Sequence, residues 1–337
     1  MSVPAKLTTV AHPALACVGV VAAITLFVAP AGAGVCAAVA LDGNATAIDA
    51  NPLAAPDEPD AATDAATDAA TDAAIDPLEQ RVQAGRHWRL DTARGAVHVW
   101  IPAGYDAATA ATVVFVHGYW VTVDEAWESY RLAQQFALSG INAMFIAPEA
   151  PKAKWKPLAW PSLAELLHTV TGQLEVDMPT KRLVAVGHSG AYRTLAAWLA
   201  NTTLDTVVLL DTVYGDYGLA PWVRLSSEHR LVNISYETGR YSNELHRQLP
   251  STQRVRGLPR TGLPEARILY VRTDVGHWQL VTEGVAVPLA LRAIGVPQVA
   301  SASIELPLGL PPRCDPPSRL GWLARSPFAA HSIELAP

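Results

Sequence analysis

Cysteine is scarce in this chain: it has three cysteines in 337 residues, Cys17, Cys36 and Cys314. The first two lie in an apolar N-terminal stretch, so removal of that stretch would leave Cys314 alone. A single cysteine excludes an intramolecular disulfide and a zinc site built from cysteines.

The sequence also lacks a glycine-rich dinucleotide fingerprint, a metal-ligand spacing and a basic stripe. Its formal net charge of −6 comes from the N-terminal region, because residues 1–76 hold nine acidic residues and one basic residue, Lys6. The remaining chain has 24 basic and 22 acidic residues. We therefore expect no cofactor, no metal and no nucleic-acid partner.

The N-terminal segment, residues 1–40, has the pattern of an export signal. Lys6 precedes a stretch from Ala14 to Ala40 that is almost wholly apolar or small, and small-residue cleavage sites occur at 31–33 and 38–40. An uncleaved signal anchor is the alternative, since the stretch is long enough to span a bilayer. Lipidation is unsupported, because alanine stands three residues before each of the two cysteines. We expect an extracellular, periplasmic or envelope-associated protein, with a tether through the N-terminus as one arrangement.

Residues 41–76 form an Ala/Thr/Asp-rich linker with a repeated Ala-Ala-Thr-Asp unit. The repeat has no large apolar side chain before Ile75, so it cannot bury a core and is expected to be an extended, disordered spacer. A folded domain is predicted for 77–300, and a proline-rich tail for 301–337.

Within that domain, short apolar runs alternate with longer stretches of helical spacing. The run 112–116 is continuously apolar, as in strands buried on both faces of a parallel sheet. The alternation predicts an α/β fold, a mainly parallel sheet with helices on both faces. The predicted strands are 96–102, 112–116, 142–147, the run ending at Gly187, 206–211, 231–236 and 268–272; the predicted helices are 124–139, 163–174, 191–200 and 284–294.

A serine follows one of these strands, in Gly187-His188-Ser189-Gly190-Ala191. A tight strand-to-helix turn here would expose the serine hydroxyl and leave backbone N–H groups free at the helix N-terminus. The pentapeptide resembles the nucleophile elbow, G-x-S-x-G, of the α/β-hydrolase superfamily, with alanine in place of the last glycine. The resemblance extends over about residues 86–294.

This resemblance implies a chain order of serine, acid and histidine, with the histidine on the loop after the last strand. His277, just past the strand 268–272, fits the base. Two carboxylates fit the acid: Asp211 ends a buried strand, where it needs a partner, and Glu237 follows the next strand. We prefer Asp211 and keep Glu237 as the alternative.

Stabilising a tetrahedral intermediate requires backbone N–H groups aimed at the developing oxyanion. Gly190, directly after the serine, is expected to supply one, and Tyr119, after the His117-Gly118 turn, the other, with Trp120 as an alternative. Aromatic residues flank these positions and are candidates for lining a substrate pocket: Trp120, Tyr192, Tyr214 and Trp278.

The resemblance implies a serine hydrolase that cleaves a small-molecule carboxylic ester through an acyl-enzyme. The N-terminal pattern adds the expectation that this hydrolase is exported. A serine nucleophile, rather than an aspartate, argues against dehalogenase and epoxide-hydrolase chemistry. Two alternatives stay open, because the fold alone does not name the reaction: an amidase or peptidase on the same triad, and a hydrolase-like binding domain without catalysis.

Overall fold

The structure is a computed structural model that describes residues 76–299 and 307–310. The predicted export segment, nearly all of the predicted linker and most of the predicted tail lie outside the described residues.

One sheet of nine strands organises the described part of the chain. The strands are β1 (Arg86–Thr92), β2 (Gly95–Ile101), β3 (Ala111–Val116), β4 (Ala143–Pro148), β5 (Arg182–His188), β6 (Thr206–Leu210), β7 (Arg230–Ser235), β8 (Gln253–Arg256) and β9 (Ile268–Arg272). Their order in the sheet is β1-β2-β4-β3-β5-β6-β7-β9-β8. The β1–β2 and β2–β4 pairs are antiparallel and all others are parallel, as the mainly parallel prediction requires.

The helices lie on both faces of this sheet, which confirms the predicted fold class. They are α1 (Pro77–Ala84), α2 (Val123–Ser129), α3 (Leu132–Ser139), α4 (Leu163–Gln173), α5 (Tyr192–Trp198), α6 (Leu219–Leu225), α7 (Gly239–Arg247), α8 (Gln279–Thr282) and α9 (Ala286–Arg292). Strand β3 shows how the two cores arise, because successive side chains point to opposite faces. Val113 and Phe115 join the core under α2, α3 and α9, whereas Val114 and Val116 join the core under α4, α5 and α6.

The prediction of one helix over 124–139 was wrong, because the chain breaks at Arg131, whose φ is 52°. A left-handed residue ends the regular hydrogen-bond ladder, so α2 and α3 are separate helices. The break lies beside Tyr130, which is fully buried with its ring against Phe115 and Trp278. The helix predicted for 284–294 is shorter, Ala286–Arg292.

Residues 307–310 of the predicted tail lie against the domain. Leu308 is buried with Val285 and Leu289, and the Leu310 N–H donates to the Glu283 carbonyl at 2.8 Å. Among the described residues, no helix is both long and apolar enough to cross a bilayer.

Candidate active site

Ser189 occupies a sharp turn between β5 and α5. It begins one turn of 3₁₀ helix, Ser189–Ala191, and its own φ is 52°, a left-handed value that is costly for a residue other than glycine. A Cβ at Gly187 would lie 2.5 Å from the Leu195 side chain, and a Cβ at Gly118 would lie 2.9 Å from the Ser189 Cβ. The close packing around Ser189 therefore requires glycine at position 187, before the turn, and at position 118, in the segment after β3.

Asp211 directly follows β6, is fully buried and also has a left-handed φ, 48°. Its Oδ1 accepts hydrogen bonds from the Tyr236 N–H (2.9 Å), the Thr238 N–H (2.9 Å) and the Thr238 hydroxyl (2.7 Å). Its Oδ2 accepts from the Glu237 N–H at 3.1 Å and from His277 Nδ1 at 2.7 Å. The carboxylate is thus enclosed by the turn between β7 and α7 on one side and by His277 on the other.

Two opposing effects act on the Asp211 carboxyl. Burial alone would raise its pKa, but the hydrogen bonds from His277 and Thr238 and the positive charge that His277 can carry outweigh burial and hold the pKa well below its usual range. An ionised carboxylate only accepts hydrogen bonds. His277 therefore carries its proton on Nδ1, and Nε2 faces away from the acid as an acceptor.

Of the two acid candidates, Asp211 is the one bonded to His277. Glu237 is exposed and contributes its backbone N–H to Asp211, while its carboxylate lies within 4.8 Å of the Asp211 and His277 ligand atoms. Within residues 76–299 and 307–310, these three residues have ligand atoms close enough together to surround a metal ion. The Asp211 carboxylate, however, already accepts five hydrogen bonds, which saturates its lone pairs. The cluster therefore does not fit a resident metal.

His188, the last residue of β5, contacts His277. Its Nε2 donates to the His277 carbonyl at 3.0 Å, and the two ring centroids are 4.5 Å apart. Burial, followed by the neighbouring His277, lowers the pKa of His188 well below its ordinary value, so this ring is neutral. The sequence gave no sign of this positioning contact.

The hydroxyl of Tyr214 faces the Ser189 side chain, and the Thr212 hydroxyl donates to the Ser189 carbonyl. Ser189 and His277, both among the described residues, make no hydrogen bond to one another in this structure. Hydrogen bonds between catalytic groups are often long or poorly aligned without substrate and tighten in the complex.

The two predicted oxyanion donors are adjacent. Gly190 is in the first turn of a helix, where N–H groups have no intrahelical acceptor. The Tyr119 ring covers Gly190, where an added Cβ would lie 2.5 Å from ring atoms. The Trp120 N–H donates to the Lys152 carbonyl at 2.9 Å, whereas the Tyr119 N–H has no acceptor within the described part of the chain. Tyr119 is therefore the better of the two candidates for the second donor.

His117 fixes the orientation of the peptide that carries the Tyr119 N–H. Its Nδ1 donates to the Gly118 carbonyl at 2.7 Å, and its Nε2 accepts from the Ala150 N–H at 3.0 Å. Burial lowers the pKa of His117 to about 4, so the ring is neutral at physiological pH. In a trans peptide the carbonyl and the N–H point in opposite directions, so holding the Gly118 carbonyl directs the Tyr119 N–H to the other side.

Two of the four predicted pocket aromatics, Tyr192 and Tyr214, are in contact with each other and with further tyrosines. Tyr192 meets Tyr119 edge-on at 6.3 Å, lies 5.6 Å from Tyr214 and stacks on Tyr217 at 4.6 Å. We call these four the tyrosine cluster: Tyr119, Tyr192, Tyr214 and Tyr217. It lies next to Ser189, and Tyr217 is the member absent from the predicted site.

The other two predicted pocket aromatics are tryptophans. Trp278 packs against His188 and His277, with ring centroids 5.5 Å away in each case, and against Tyr130. Trp120 meets the exposed Trp155 at 6.1 Å.

No family model matches the chain, and no curated protein matches its sequence. Among solved structures, part of the chain is similar to the feruloyl esterase module from Clostridium thermocellum, with 12% identity, a TM-score of 0.43 and coverage of 62% of this chain and 88% of that one. It is also similar to the fluorophosphonate-binding serine hydrolase F from Staphylococcus aureus, with 12% identity, a TM-score of 0.42 and coverage of 61% and 98%. An S-formylglutathione hydrolase from Agrobacterium tumefaciens gives 11% identity, a TM-score of 0.39 and coverage of 57% and 88%. At these TM-scores the likenesses do not assign an activity to this chain.

Proposed function

We propose that this chain is an exported serine hydrolase that cleaves a small-molecule carboxylic ester through Ser189, His277 and Asp211. The observation that carries the proposal is the 2.7 Å hydrogen bond from His277 Nδ1 to the buried Asp211 carboxylate, at the sheet edge where Ser189 occupies its strand-to-helix turn. This bond leaves His277 Nε2 to act as a base towards a serine hydroxyl.

In the proposed reaction, Ser189 Oγ attacks the ester carbonyl carbon while its proton passes to His277 Nε2. The oxyanion that forms is stabilised by the N–H groups of Gly190 and Tyr119. His277 then gives the proton to the leaving alkoxide as the carbon–oxygen bond breaks, and an acyl-enzyme remains. Water, deprotonated by His277, hydrolyses the acyl-enzyme and returns Ser189 to its starting state. The buried charge of Asp211 stabilises the imidazolium in both halves of the reaction.

The tyrosine cluster supports an ester with an apolar or aromatic acyl group. Aromatic rings supply large, rigid contact areas, and their hydroxyls can orient polar groups of a substrate. Amides are the second substrate class to test, because the same triad cleaves them when the leaving amine is protonated.

Labelling of the full chain with a fluorophosphonate probe tests the proposal. We expect labelling of the unmodified protein and none of Ser189→Ala or His277→Ala. Matched controls are Ser251→Ala and His168→Ala, which change exposed residues and should label fully. Failure of the folded, unmodified protein to react would overturn the proposal.

One observation favours a second candidate, a binding domain without catalysis: Ser189 and His277, although both described, share no hydrogen bond. In that case the probe would not react, yet esters would bind without turnover. Isothermal titration with a non-cleaved ester analogue would detect such binding.

Export rests on the sequence of residues 1–40 alone. If the signal is removed at its second site, the mature protein should begin after Ala40. Intact mass measurement of the protein from cell-envelope and culture fractions would detect this, and a full-length mass in the soluble intracellular fraction would contradict it.

A further inference from the structure

A cavity lies beside strand β8, at the edge of the sheet. It has a volume of about 380 Å³ and is lined by Asn243, Arg254, Val255, Arg256, Tyr270 and Arg272. None of these residues belongs to the proposed catalytic group. We call this space the arginine cavity.

The strand register explains why three arginines converge there. Strands β8 and β9 are parallel neighbours, and their register pairs Arg254 with Tyr270 and Arg256 with Arg272. Alternate residues of a strand share a face, and paired residues on adjacent strands lie side by side. All four side chains therefore project from the same side of the sheet.

The positive charge of this region is not balanced by acidic residues. Residues 239–272 contain seven arginines, two glutamates and neither lysine nor aspartate, although the whole chain is acidic. One of the two glutamates, Glu244, pairs with Arg247. Within the part of the chain that the structure describes, none of Arg254, Arg256 and Arg272 forms an ion pair with a carboxylate.

Protein contacts hold two of these arginines in place without using all their donors. Arg272 Nη1 donates to the Tyr236 carbonyl, and Arg254 Nη2 donates to the His246 carbonyl at 3.2 Å while its guanidinium lies over the Tyr270 ring. Each guanidinium has five N–H donors, so most of them stay available. The Arg256 side chain makes no hydrogen bond to any described residue.

The remaining polar groups also favour donation. Asn243 Oδ1 accepts from the Tyr270 hydroxyl at 3.0 Å, which leaves the Asn243 amide nitrogen as a donor. The cavity thus offers several donors and three positive charges, with its main side-chain acceptor already used. Its chemistry complements an acceptor-rich anion.

We propose that the arginine cavity binds the phosphate group of a small phosphorylated molecule or of free phosphate. A phosphate monoester carries about −1.5 to −2 charges and three acceptor oxygens, which match several guanidinium groups better than the single charge of a carboxylate. A water molecule takes about 30 Å³ of liquid, so the cavity of about 380 Å³ has room for a phosphate and a small organic group. This proposal does not depend on the proposed esterase activity.

Isothermal titration of the full chain at fixed ionic strength tests the site with three probes: inorganic phosphate, phenyl phosphate and benzoate. We expect saturable binding of at least one phosphate probe, with benzoate at least tenfold weaker. Tighter binding of phenyl phosphate would identify a phosphorylated molecule as the source, and equal or tighter binding of inorganic phosphate would identify free phosphate.

Arg256→Gln is the decisive variant, because its side chain contacts no hydrogen-bonding partner in the described protein and its loss should not disturb folding. We expect it to weaken phosphate binding about tenfold or more, the range for charge-assisted hydrogen bonds. Arg254→Gln should act in the same direction. Arg86→Gln is the matched control, since Arg86 is an exposed arginine over an aromatic ring on the opposite edge strand, and should bind as the unmodified protein does.

Three results would overturn the proposal: no saturable binding of either phosphate probe, binding of benzoate as tight as that of phenyl phosphate, or unchanged binding by Arg256→Gln and Arg254→Gln. Thermal unfolding of each variant should also be measured, to establish that the variants are folded under the conditions of the titration.

Discussion

The candidate site has two halves that are held in different ways. In the half around Asp211, which we call the acid side, the carboxylate accepts five hydrogen bonds from the β7–α7 turn and His277. In the half around Ser189, the serine side, close contacts of backbone and aromatic rings hold the residues in position. Ser189 lies against Gly118, and Gly190 lies under the Tyr119 ring. The acid side should therefore be sensitive to a change of charge at constant shape. The serine side should be sensitive to added volume at constant charge.

Asp211→Asn is the largest expected effect and tests the acid side at nearly constant shape. The asparagine amide nitrogen is a donor, so it cannot accept the hydrogen bonds that the turn and His277 donate to the carboxylate. Without a negative charge, the side chain also no longer holds the His277 proton on Nδ1. We expect a loss of about 10⁴-fold in kcat for an ester substrate, as for the same change in other triads. Glu237→Gln is the control, with a change under about tenfold; a larger loss in that variant would make Glu237 the acid.

Gly190→Ala comes next and tests the serine side by adding one methyl group. The new Cβ would lie 2.5 Å from the Tyr119 ring, so the ring must move and disturb the backbone donors beside it. We expect about a 10²–10³-fold loss in kcat, the effect of losing one oxyanion donor.

Its control is Gly172→Ala in α4, where no atom lies within 4 Å of the added Cβ and activity should not change. The double variant Gly190→Ala/Tyr119→Ala removes the clashing ring but keeps both backbone donors, so kcat should rise above that of Gly190→Ala, while the loss of a ring from the tyrosine cluster should raise KM. If the double variant is as slow as Gly190→Ala, the ring clash is not the cause of the loss.

The third prediction concerns how the free energy of unfolding depends on pH, and it compares His117 near the serine with Asp211. The pKa of buried His117 is lowered to about 4 in the folded protein, while the unfolded value is about 6.5. The unfolded chain therefore binds a proton first, and stability falls as pH falls from about 6.5 towards 4, by about 3 kcal/mol from this group. The stabilisation from Asp211, whose folded pKa is depressed, persists until the pH falls below its unfolded value of about 3.9.

Urea unfolding between pH 8 and 4 measures this difference. His117→Asn, which keeps a donor near the Gly118 carbonyl but does not titrate, should lose less stability over this range than the unmodified protein. Burial also lowers the pKa values of His188 and His246. These two residues should therefore cause part of the loss of stability at low pH in both the unmodified protein and His117→Asn. An equal loss in both proteins would show that His117 does not contribute, and exposed His168→Asn should behave as the unmodified protein.

The central strands could be predicted from the sequence because apolar residues predominate in each of them. The strand predicted for 268–272 has the same bounds in the structure, and β3 differs by one residue. Strand β8 could not be predicted, since Val255 is its one apolar residue and its place depends on pairing with β9. The break at Arg131 also leaves no mark, because the apolar spacing continues across it.

The candidate site divides in a similar way. The resemblance to the α/β-hydrolase superfamily implies the chain order serine, acid, histidine. That order, combined with the predicted strand ends, predicts Ser189, Asp211 (with Glu237 as the alternative) and His277. The contacts that position them join distant parts of the chain. The hydroxyl of Thr238 on Asp211 and the ring of His188 beside His277 depend on loops that meet only in the folded protein.

The two outer strands bear on how the protein behaves at high concentration. An exposed strand edge is a template for pairing with another chain, and short or charged edges discourage such pairing. Strand β8 is four residues long and carries Arg254 and Arg256, while β1 carries Arg89 in an ion pair with Asp91. Both outer strands of a sheet with a mainly apolar centre therefore carry charges that should discourage pairing with another chain.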